Sequence, residues 1–325
     1  MNKGRSGFWA GCGLDVTGGD VLDAIGWVIG NIGMAFVNLG VALANPGLWL
    51  NWADREALAR FIYYGASVEF FFVVFTLFLV LTGIGMAYRP FLWGMVRGLE
   101  AMANGIGRFV AWFGLLMVLQ QIVIIFLQRI FRVAVLEFGP FAPFGYPLVP
   151  GPSFLRDLSW WSEELKLYNA MIVCLCVTYT FVQGGHVRVD LIYANVRFRT
   201  KRLIDMAGCL LFMMPAAVLT WLYSWYFMWR SLVTPKVSAS DKLESLLAKA
   251  RIFKWNVETI AFSPNGFDAY FLFKLLIIGF CALVFVHAWA FLWRSWLEFV
   301  EGPASEGRYL DRDAPGGSTQ DLQTR

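Results

Sequence analysis

Charged residues are scarce in this chain. Of its 325 residues, 15% are charged and 58% are hydrophobic, whereas a soluble domain carries about 25% charged and about 45–50% apolar residues. A soluble domain of this length could bury a sizeable core, but not this much apolar surface. The 15 Trp and 30 Phe residues point the same way, because aromatic rings favour the membrane–water interface. The composition therefore predicts an integral membrane protein.

Residue types and motifs that support catalysis or metal binding are also scarce. Four of the five cysteines lie in apolar segments, where Cys behaves as a small hydrophobic residue. Cys174 and Cys176 point in different directions on a predicted helix and cannot share a metal. The sequence has no Walker-type phosphate loop and no long basic run. We therefore predict no disulfide framework, no metal, no ATP hydrolysis by that route and no nucleic-acid partner.

Cleavage of the amino terminus is not predicted. Lys3 and Arg5 are followed by Asp15 and Asp20, which interrupt the chain before an apolar core long enough for a signal peptide develops.

Six apolar segments reach, or nearly reach, the roughly 20 residues that a membrane-spanning helix needs. They are Val21–Ala44, Phe61–Met86, Phe109–Leu127, Leu165–Val182, Leu203–Trp229 and Ala269–Leu297. The first is rich in glycine and carries Asn31 and Asn38, so it could span the bilayer, lie at its interface or pack against a partner helix. The fold class predicted is an all-α integral membrane protein with about six transmembrane helices.

Basic residues in the short loops set the predicted orientation. The loop before the fifth span and the loop from Tyr88 to Arg108 are the basic short loops, so both are predicted to be cytoplasmic. Their basic residues are Arg188, Arg197, Arg199, Lys201 and Arg202 in the first, and Arg89, Arg97 and Arg108 in the second. Six spans then place both termini in the cytoplasm. The segment Arg230–Asp268 is assigned to the outside by counting spans, because its six basic residues are accompanied by four acids.

The outer segment contains a further helical pattern. Apolar residues recur there at helical spacing, at Leu243, Leu246, Leu247, Ala250 and Phe253. The pattern predicts a short amphipathic helix, which could lie along the membrane surface or pack on a partner subunit.

Ionisable side chains are rare inside the predicted spans. Glu69, about two turns into its span, is a functional candidate because intramembrane carboxylates are costly, although it could also stabilise a helix contact. Lys274 is expected to extend to the interface. His186 and His287 could ligate a haem from two helices. Without a cofactor, His287 would make a helix-packing hydrogen bond and His186 would lie in a loop.

The stretch QGGHVRVDLIY, which follows the fourth span, concentrates charged residues. Gly184 and Gly185 are typical of a helix C-terminus, where a left-handed glycine ends the hydrogen-bond ladder. In an extended chain His186, Arg188 and Asp190 would share one face, whereas in a helix His186 and Asp190 would be i,i+4 neighbours. Either way the stretch would fix charges at the cytoplasmic membrane surface.

Four motifs together resemble one family. They are LQRIFR with Arg129, WWSEEL with Trp161, Glu163 and Glu164, GGHVRVDLIY, and KRLIDMAGCLLFMMP from residue 201. Their order and spacing resemble the DctQ-type small membrane subunit of tripartite ATP-independent periplasmic (TRAP) transporters, over roughly residues 106–301. The resemblance implies a four-helix small permease, a large membrane subunit that carries substrate and sodium, and a periplasmic solute-binding protein that delivers an organic anion.

The resemblance also implies where the chain works and what it lacks. It implies a non-catalytic scaffold in the bacterial inner membrane, with no cofactor of its own. The WWSEEL residues would lie at the outer end and the GGHVRVD residues at the inner end, as interface or structural residues. We expect an extension over residues 1–105 with two membrane helices, a core over 106–301 and a disordered cytoplasmic tail over 302–325. The alternatives are a haem-bearing anchor subunit of an oxidoreductase and a stand-alone carrier that uses Glu69.

Overall fold

The computed structural model describes residues 18–138, 154–184, 196–259 and 266–311, and helices dominate it. The helices are α1 (Gly18–Ala44), α2 (Gly47–Leu50), α3 (Arg55–Tyr64), α4 (Val68–Ala87), α5 (Arg89–Ile125), α6 (Leu158–Leu175), α7 (Val177–Gln183), α8 (Phe198–Gly208), α9 (Met214–Trp229), α10 (Leu243–Ala250) and α11 (Phe271–Glu301). Two antiparallel pairs join β1 (Val135–Phe138) to β2 (Phe154–Asp157) and β3 (Val233–Thr234) to β4 (Lys254–Trp255).

Five helical stretches of the described chain are long and apolar enough to cross a membrane. They are Leu22–Ala44, Val68–Ala87, Arg89–Ile130, Phe198–Trp229 and Phe271–Glu301. A sixth crossing is formed if α6 and α7, which meet at a 46° bend, count as one span. The prediction of an all-α integral membrane protein with about six spans is therefore confirmed.

The predicted span Phe61–Met86 is wrong at its start, because two helices occupy it. α3 ends at Tyr64, and α4 begins at Val68 after Ser67, whose hydroxyl accepts a hydrogen bond from the Phe70 N–H at 3.2 Å. A serine N-cap of this kind starts a new helix. Between them, Gly65 lies so close to the Trp225 ring that a side chain there would collide with it.

The prediction that Tyr88 to Arg108 form a loop is also wrong, since α5 begins at Arg89 and continues without a break to Ile125. Pro90 occupies its first turn, where a missing N–H costs nothing. The arginines of this stretch alternate with buried apolar residues at helical spacing, among them Leu92, Val96 and Ala103. The expected boundary between extension and core, at residue 105, therefore falls inside one helix.

α5 and α11 form the long antiparallel pair at the centre of the bundle. Trp93 Nε1 donates to Glu301 at 2.9 Å, and one heptad further along α5 Glu100 meets Arg294. The second contact is seven residues later on α5 and seven residues earlier on α11 than the first. The two helices therefore run antiparallel and side by side over these turns.

α4 packs along α11 through aromatic rings. The ring of Phe78 stacks on Trp289 with centroids 5.1 Å apart, and Trp293 Nε1 donates to the Thr82 hydroxyl at 2.8 Å. α1 lies at the edge of the bundle and packs on α4. The Trp27 and Phe72 rings meet edge-on there, with their centroids 5.3 Å apart.

A small cap lies at one end of the bundle, which is the outer end in the orientation that the sequence predicts. It is formed by α2, α3, α10, the β3–β4 pair and the end of α9. Its core contains Leu58, Ile62, Trp229, Leu246 and Phe253, all buried. The prediction of an amphipathic helix at α10 is confirmed, but its apolar face packs on α3 of the same chain rather than on the membrane surface or a partner.

The chain after α11 is folded, at least as far as residue 311, although the sequence predicts a disordered tail from residue 302. A 3₁₀ turn spans Pro303–Ser305, and the following residues return to the bundle. Asn104 Nδ2 donates to the Asp311 carbonyl at 2.8 Å, so this polar segment finds partners inside the protein. Residues 312–325 lie outside the described residues.

Gly107 on α5 gives a direct test of the packing between α5 and α7. A Cβ at this position would lie 2.3 Å from the Cβ of Tyr179, so we expect G107A to lower stability by about 1–3 kcal/mol through overpacking. The matched control is G105A, because nothing lies within 4 Å of a Cβ there and alanine favours a helix by about 0.5–1 kcal/mol over glycine. Thermal unfolding in detergent measures both, and an equal Tm for the two variants would contradict this packing.

Candidate functional site

Charged residues are absent from the middle of the long helices. The charge-free intervals run from Glu69 to Arg89, from Arg108 to Arg129, from Asp205 to Arg230 and from Lys274 to Arg294. Ionic groups therefore collect at the two ends of the bundle. Naming the two ends after the orientation that the sequence predicts, we call the buried ionic group around Glu100, Arg202, Arg294 and Glu298 the inner polar layer. The group around Gln120, Glu163, Glu164 and Tyr168 is the outer polar cluster.

Arg294 is the central cation of the inner polar layer. Its guanidinium makes a bidentate pair with the Glu100 carboxylate on α5, and Nη1 also reaches Glu298 at 3.4 Å. The same Nη1 donates to the Arg308 carbonyl at 3.1 Å. Because Glu100, Arg294 and Glu298 are all buried, each charge needs these partners to offset the loss of hydration.

Arg202 on α8 joins the same layer from the other side. Its Nε lies 2.8 Å from Glu298 Oε2, and its terminal nitrogens pair with Asp205 at 3.2 Å and Glu306 at 2.9 Å. One buried arginine therefore links α8, α11 and the folded segment after α11. Charge-assisted contacts of this kind also fix geometry, because the guanidinium is planar.

The chain after α11 closes the layer. Gln183 at the end of α7 donates to the Asn104 side chain and to the Asp311 carbonyl, both at 3.1 Å. Arg108 pairs with the Asp311 carboxylate at 2.8 Å. As a result the inner ends of α5, α7 and α11 are tied together by residues that follow the last span.

The outer polar cluster is built on WWSEEL. Glu164 accepts hydrogen bonds from Gln120 Nε2 at 3.1 Å and from the Tyr168 hydroxyl at 3.0 Å. Glu163 accepts from the Phe267 backbone N–H at 2.9 Å. Trp160 Nε1 donates to Asp268 at 3.3 Å. The motif thus joins the outer parts of α5 and α6 to the chain that enters α11.

The structure places the other predicted site residues in different surroundings. Gly184 adopts a left-handed conformation, with φ of 72°, and ends α7 as predicted. Arg129 is exposed in the π turn that follows α5. The Trp161 carbonyl accepts a hydrogen bond from Gln120 Nε2 at 3.1 Å, beside the Glu164 contact of the same amide. The remaining four, Gly185, His186, Arg188 and Asp190, lie outside the described residues.

Glu69 is not two turns inside a span, as the sequence indicates, but exposed in the first turn of α4. A carboxylate in a first turn is favoured by the helix dipole, so its position needs no transport pathway. Burial, with a smaller contribution from Glu69, raises the pKa of Tyr63 in α3. Lys274 does not extend to water, since its side chain is buried, pairs with Glu258 at 3.3 Å and lies 4.3 Å from the Phe227 ring.

His287 lies deep in α11. Its side chain is buried, and its ring centroid is 6.0 Å from that of Phe181 on α7. Because His186 lies outside the described residues, haem ligation by the two histidines remains a hypothesis. Within the described ranges no group of three His, Cys, Asp or Glu side chains is arranged to hold a metal ion.

An apolar groove of about 160 Å³ opens between α4, α9 and α11. It is lined by Phe70, Phe71, Val74, Trp221 and Phe285 among others, with no charged side chain in its wall. Sites for small polar ligands combine apolar walls with a few placed polar groups. This groove offers no cation to an anionic solute.

The inner polar layer was not found from the sequence. Two signals were available, the i,i+3 pair Arg202 and Asp205 and the i,i+4 pair Arg294 and Glu298 at the end of an otherwise apolar helix. Charges in such positions are expensive unless paired. Their partner Glu100 is 194 residues from Arg294, and no spacing rule connects them.

Comparison with known proteins identifies part of this architecture. A family model described as "Tripartite ATP-independent periplasmic transporters, DctQ component" matches residues 153–244. The chain carries a DctQ segment. No curated protein and no solved structure matches the chain.

The DctQ segment includes three of the four motifs on which the resemblance rests, namely WWSEEL, GGHVRVDLIY and KRLIDMAGCLLFMMP. It runs from β2 to the start of α10 and so contributes the WWSEEL side of the outer polar cluster and Arg202 of the inner polar layer. The predicted resemblance to a TRAP small membrane subunit is confirmed for these residues. Glu100 and Arg294 lie outside the DctQ segment, on helices that pack around it.

The inner polar layer gives a test of how the DctQ segment is held. Removing one partner of a buried ion pair costs about 3–5 kcal/mol, so we expect E100Q and R294M each to lower the Tm strongly. The double variant E100Q/R294M should lose less than the sum of the two single variants, since neither charge of the pair is left buried alone.

The matched control for this test is E56Q, which breaks the Arg60–Glu56 contact of 3.6 Å between side chains that are 30% and 56% exposed. An exposed pair is worth about 0–1 kcal/mol. Thermal unfolding in detergent separates the cases, and an E100Q variant as stable as E56Q would show that the layer does not hold the bundle.

Proposed function

We propose that this chain is the non-catalytic small permease subunit of a TRAP-type secondary importer, and that it scaffolds the large substrate-translocating subunit in the bacterial inner membrane. In this proposal a periplasmic solute-binding protein delivers an organic anion or related small solute. The large subunit carries the solute and sodium, so this chain needs no cofactor.

One observation carries the proposal. The long helices have no charged residue over their middle turns, and the charges at their ends are bonded within the chain, as for Arg294 with Glu100 and Arg202 with Glu298. Carriers of ionic solutes place ionisable or polar groups near the bilayer midplane. His287 lies in one of these intervals, but its ring is buried against Phe181. A bundle whose middle has no Asp, Glu, Lys or Arg, and whose ends are joined by ion pairs, therefore favours a supporting role over a solute pathway.

The WWSEEL motif has a defined place in this proposal. Glu163 and Glu164 accept hydrogen bonds from the chain before α11, from α5 and from α6 itself. We infer that the motif fixes the relative positions of these helix ends, so that a rigid surface faces the large subunit. The residues are therefore structural supports of an interface and need not contact the partner themselves.

Purification from the native membrane tests this function. A tagged chain, extracted in mild detergent, is expected to co-elute with a larger polytopic membrane protein, and deletion of its gene should abolish uptake of the solute. The variant E163Q/E164Q should reduce both recovery of the larger protein and uptake several-fold, because each carboxylate loses charge-assisted hydrogen bonds.

The control for this variant is E244Q, since Glu244 is exposed on α10, and it should behave as the unchanged chain. If the chain elutes alone, and uptake continues after deletion of its gene, the proposal is wrong.

A further inference from the structure

Exposed apolar side chains form a rim on the outer cap. Trp52 is 44% exposed, Ile252 63% and Trp255 52%, and all three lie outside the candidate spans. Lipid along the spans accounts for exposed apolar residues there, but not for these. An exposed cluster of this kind marks a surface that contacts protein or membrane. We call Trp52, Ile252 and Trp255, with the neighbouring Arg251 and Lys254, the cap rim.

The cap rim lies at the level where α9 leaves the bilayer. α9 runs antiparallel to α11, since Cys209 Sγ contacts the Ala288 carbonyl towards one end and Lys274 Nζ lies over Phe227 towards the other. Trp229, the last residue of α9, is therefore level with the first turn of α11. Ring centroids of Trp52 and Trp255 each lie 6.2 Å from that of Trp229. The headgroup region adds about 5–8 Å to each side of the hydrocarbon core, so the rim is at headgroup depth.

The rim is held rigidly in this position. Phe253 is buried in the cap core between Ile252 and Lys254. Arg55 Nη1 donates to the Arg251 carbonyl at 2.9 Å. β4 pairs with β3 in the register Val233 with Trp255, only a few residues after α9 ends. Ile252 and Trp255 therefore cannot withdraw into the protein without unfolding the turn.

The charges of the rim indicate its occupant. Arg251 and Lys254 are exposed and alternate with Ile252 and Trp255 along the turn. Aromatic rings lie favourably among lipid headgroups, and the basic side chains can reach phosphate while their stems stay in apolar surroundings. We propose that the cap rim is an interfacial anchor, which inserts into the outer leaflet and binds phospholipid phosphate through Arg251 and Lys254.

The anchor gives the cap a fixed depth. It couples the outer ends of α3 and α9 to the bilayer surface from outside the spans, so that the cap lies on the membrane rather than standing away from it. The inference does not rest on the proposed transport function, because it concerns this chain and lipid alone.

Thiol accessibility in lipid nanodiscs tests the anchor. The full chain, purified alone and loaded at one copy per disc of phosphatidylethanolamine and phosphatidylglycerol, carries either I252C or E244C. Labelling by a charged maleimide is measured after subtracting that of the unsubstituted chain. We expect I252C to react at least about tenfold more slowly than E244C, because apolar surroundings disfavour the reactive thiolate. Both should react alike in sodium dodecyl sulfate.

The outcomes are distinct. Since Ile252 is 63% exposed in the protein itself, slow labelling in a one-copy disc comes from lipid. Equal labelling of I252C and E244C overturns the anchor. If I252C is not monodisperse, W255C takes its place with the same control and the same expected result.

A second arm tests the phosphate contacts. Adding R251Q/K254Q to I252C should raise its labelling several-fold, and protection should persist in discs of phosphatidylcholine alone, which carry the same phosphate. Unchanged labelling in R251Q/K254Q would overturn the assigned role of the two cations. In cells, a photo-crosslinking residue at position 252 should give no protein adduct, and a strong adduct with another protein would replace lipid as the occupant.

Discussion

The rest of the bundle depends on the ion pairs and hydrogen bonds that the buried Arg294 guanidinium makes. It meets Glu100 on α5, Glu298 on its own helix and the Arg308 carbonyl in the segment after it. A buried charge left unpaired is costly enough to unfold a marginally stable protein. The pairing therefore fixes the register of α5 against α11 and requires the chain to fold back after its last span. Arg202 extends the same constraint to α8 through Glu298.

The two ends of the bundle hold a middle that carries no charge. At the outer end, neutral and charge-assisted hydrogen bonds around Glu163 and Glu164 position α5, α6 and the start of α11. Between the ends, aromatic packing such as Phe78 on Trp289 fills the space. Within the described chain, this arrangement positions the helices but places no Asp, Glu, Lys or Arg side chain in the middle of a span, where an ionic solute would need one. The DctQ segment supplies part of both ends, and this is consistent with the supporting role that we propose.

The sequence predicted the membrane class, most of the spans, the α10 helix and the DctQ resemblance, because hydropathy and local motifs carry that information. It did not predict the break at Gly65–Ser67. Because apolar residues lie on both sides of Ser67, the mean hydropathy stays high across the break and gives no sign of the serine N-cap. The sequence also predicted a loop from Tyr88 to Arg108, because this stretch contains three arginines. In the structure the stretch is helical, and its arginines alternate with buried apolar residues such as Val96. The inner polar layer depends on a pairing between residues 194 positions apart, and only a folded chain brings Glu100 and Arg294 together.

Uptake by proteoliposomes tests the central claim, that this chain supports a translocating partner and does not itself translocate. Vesicles receive this chain alone, the large membrane subunit alone, or both, with a sodium gradient and the loaded solute-binding protein outside. The account predicts uptake when both are present, none with this chain alone, and strongly reduced uptake with the large subunit alone. Solute accumulation in vesicles that contain only this chain would contradict it.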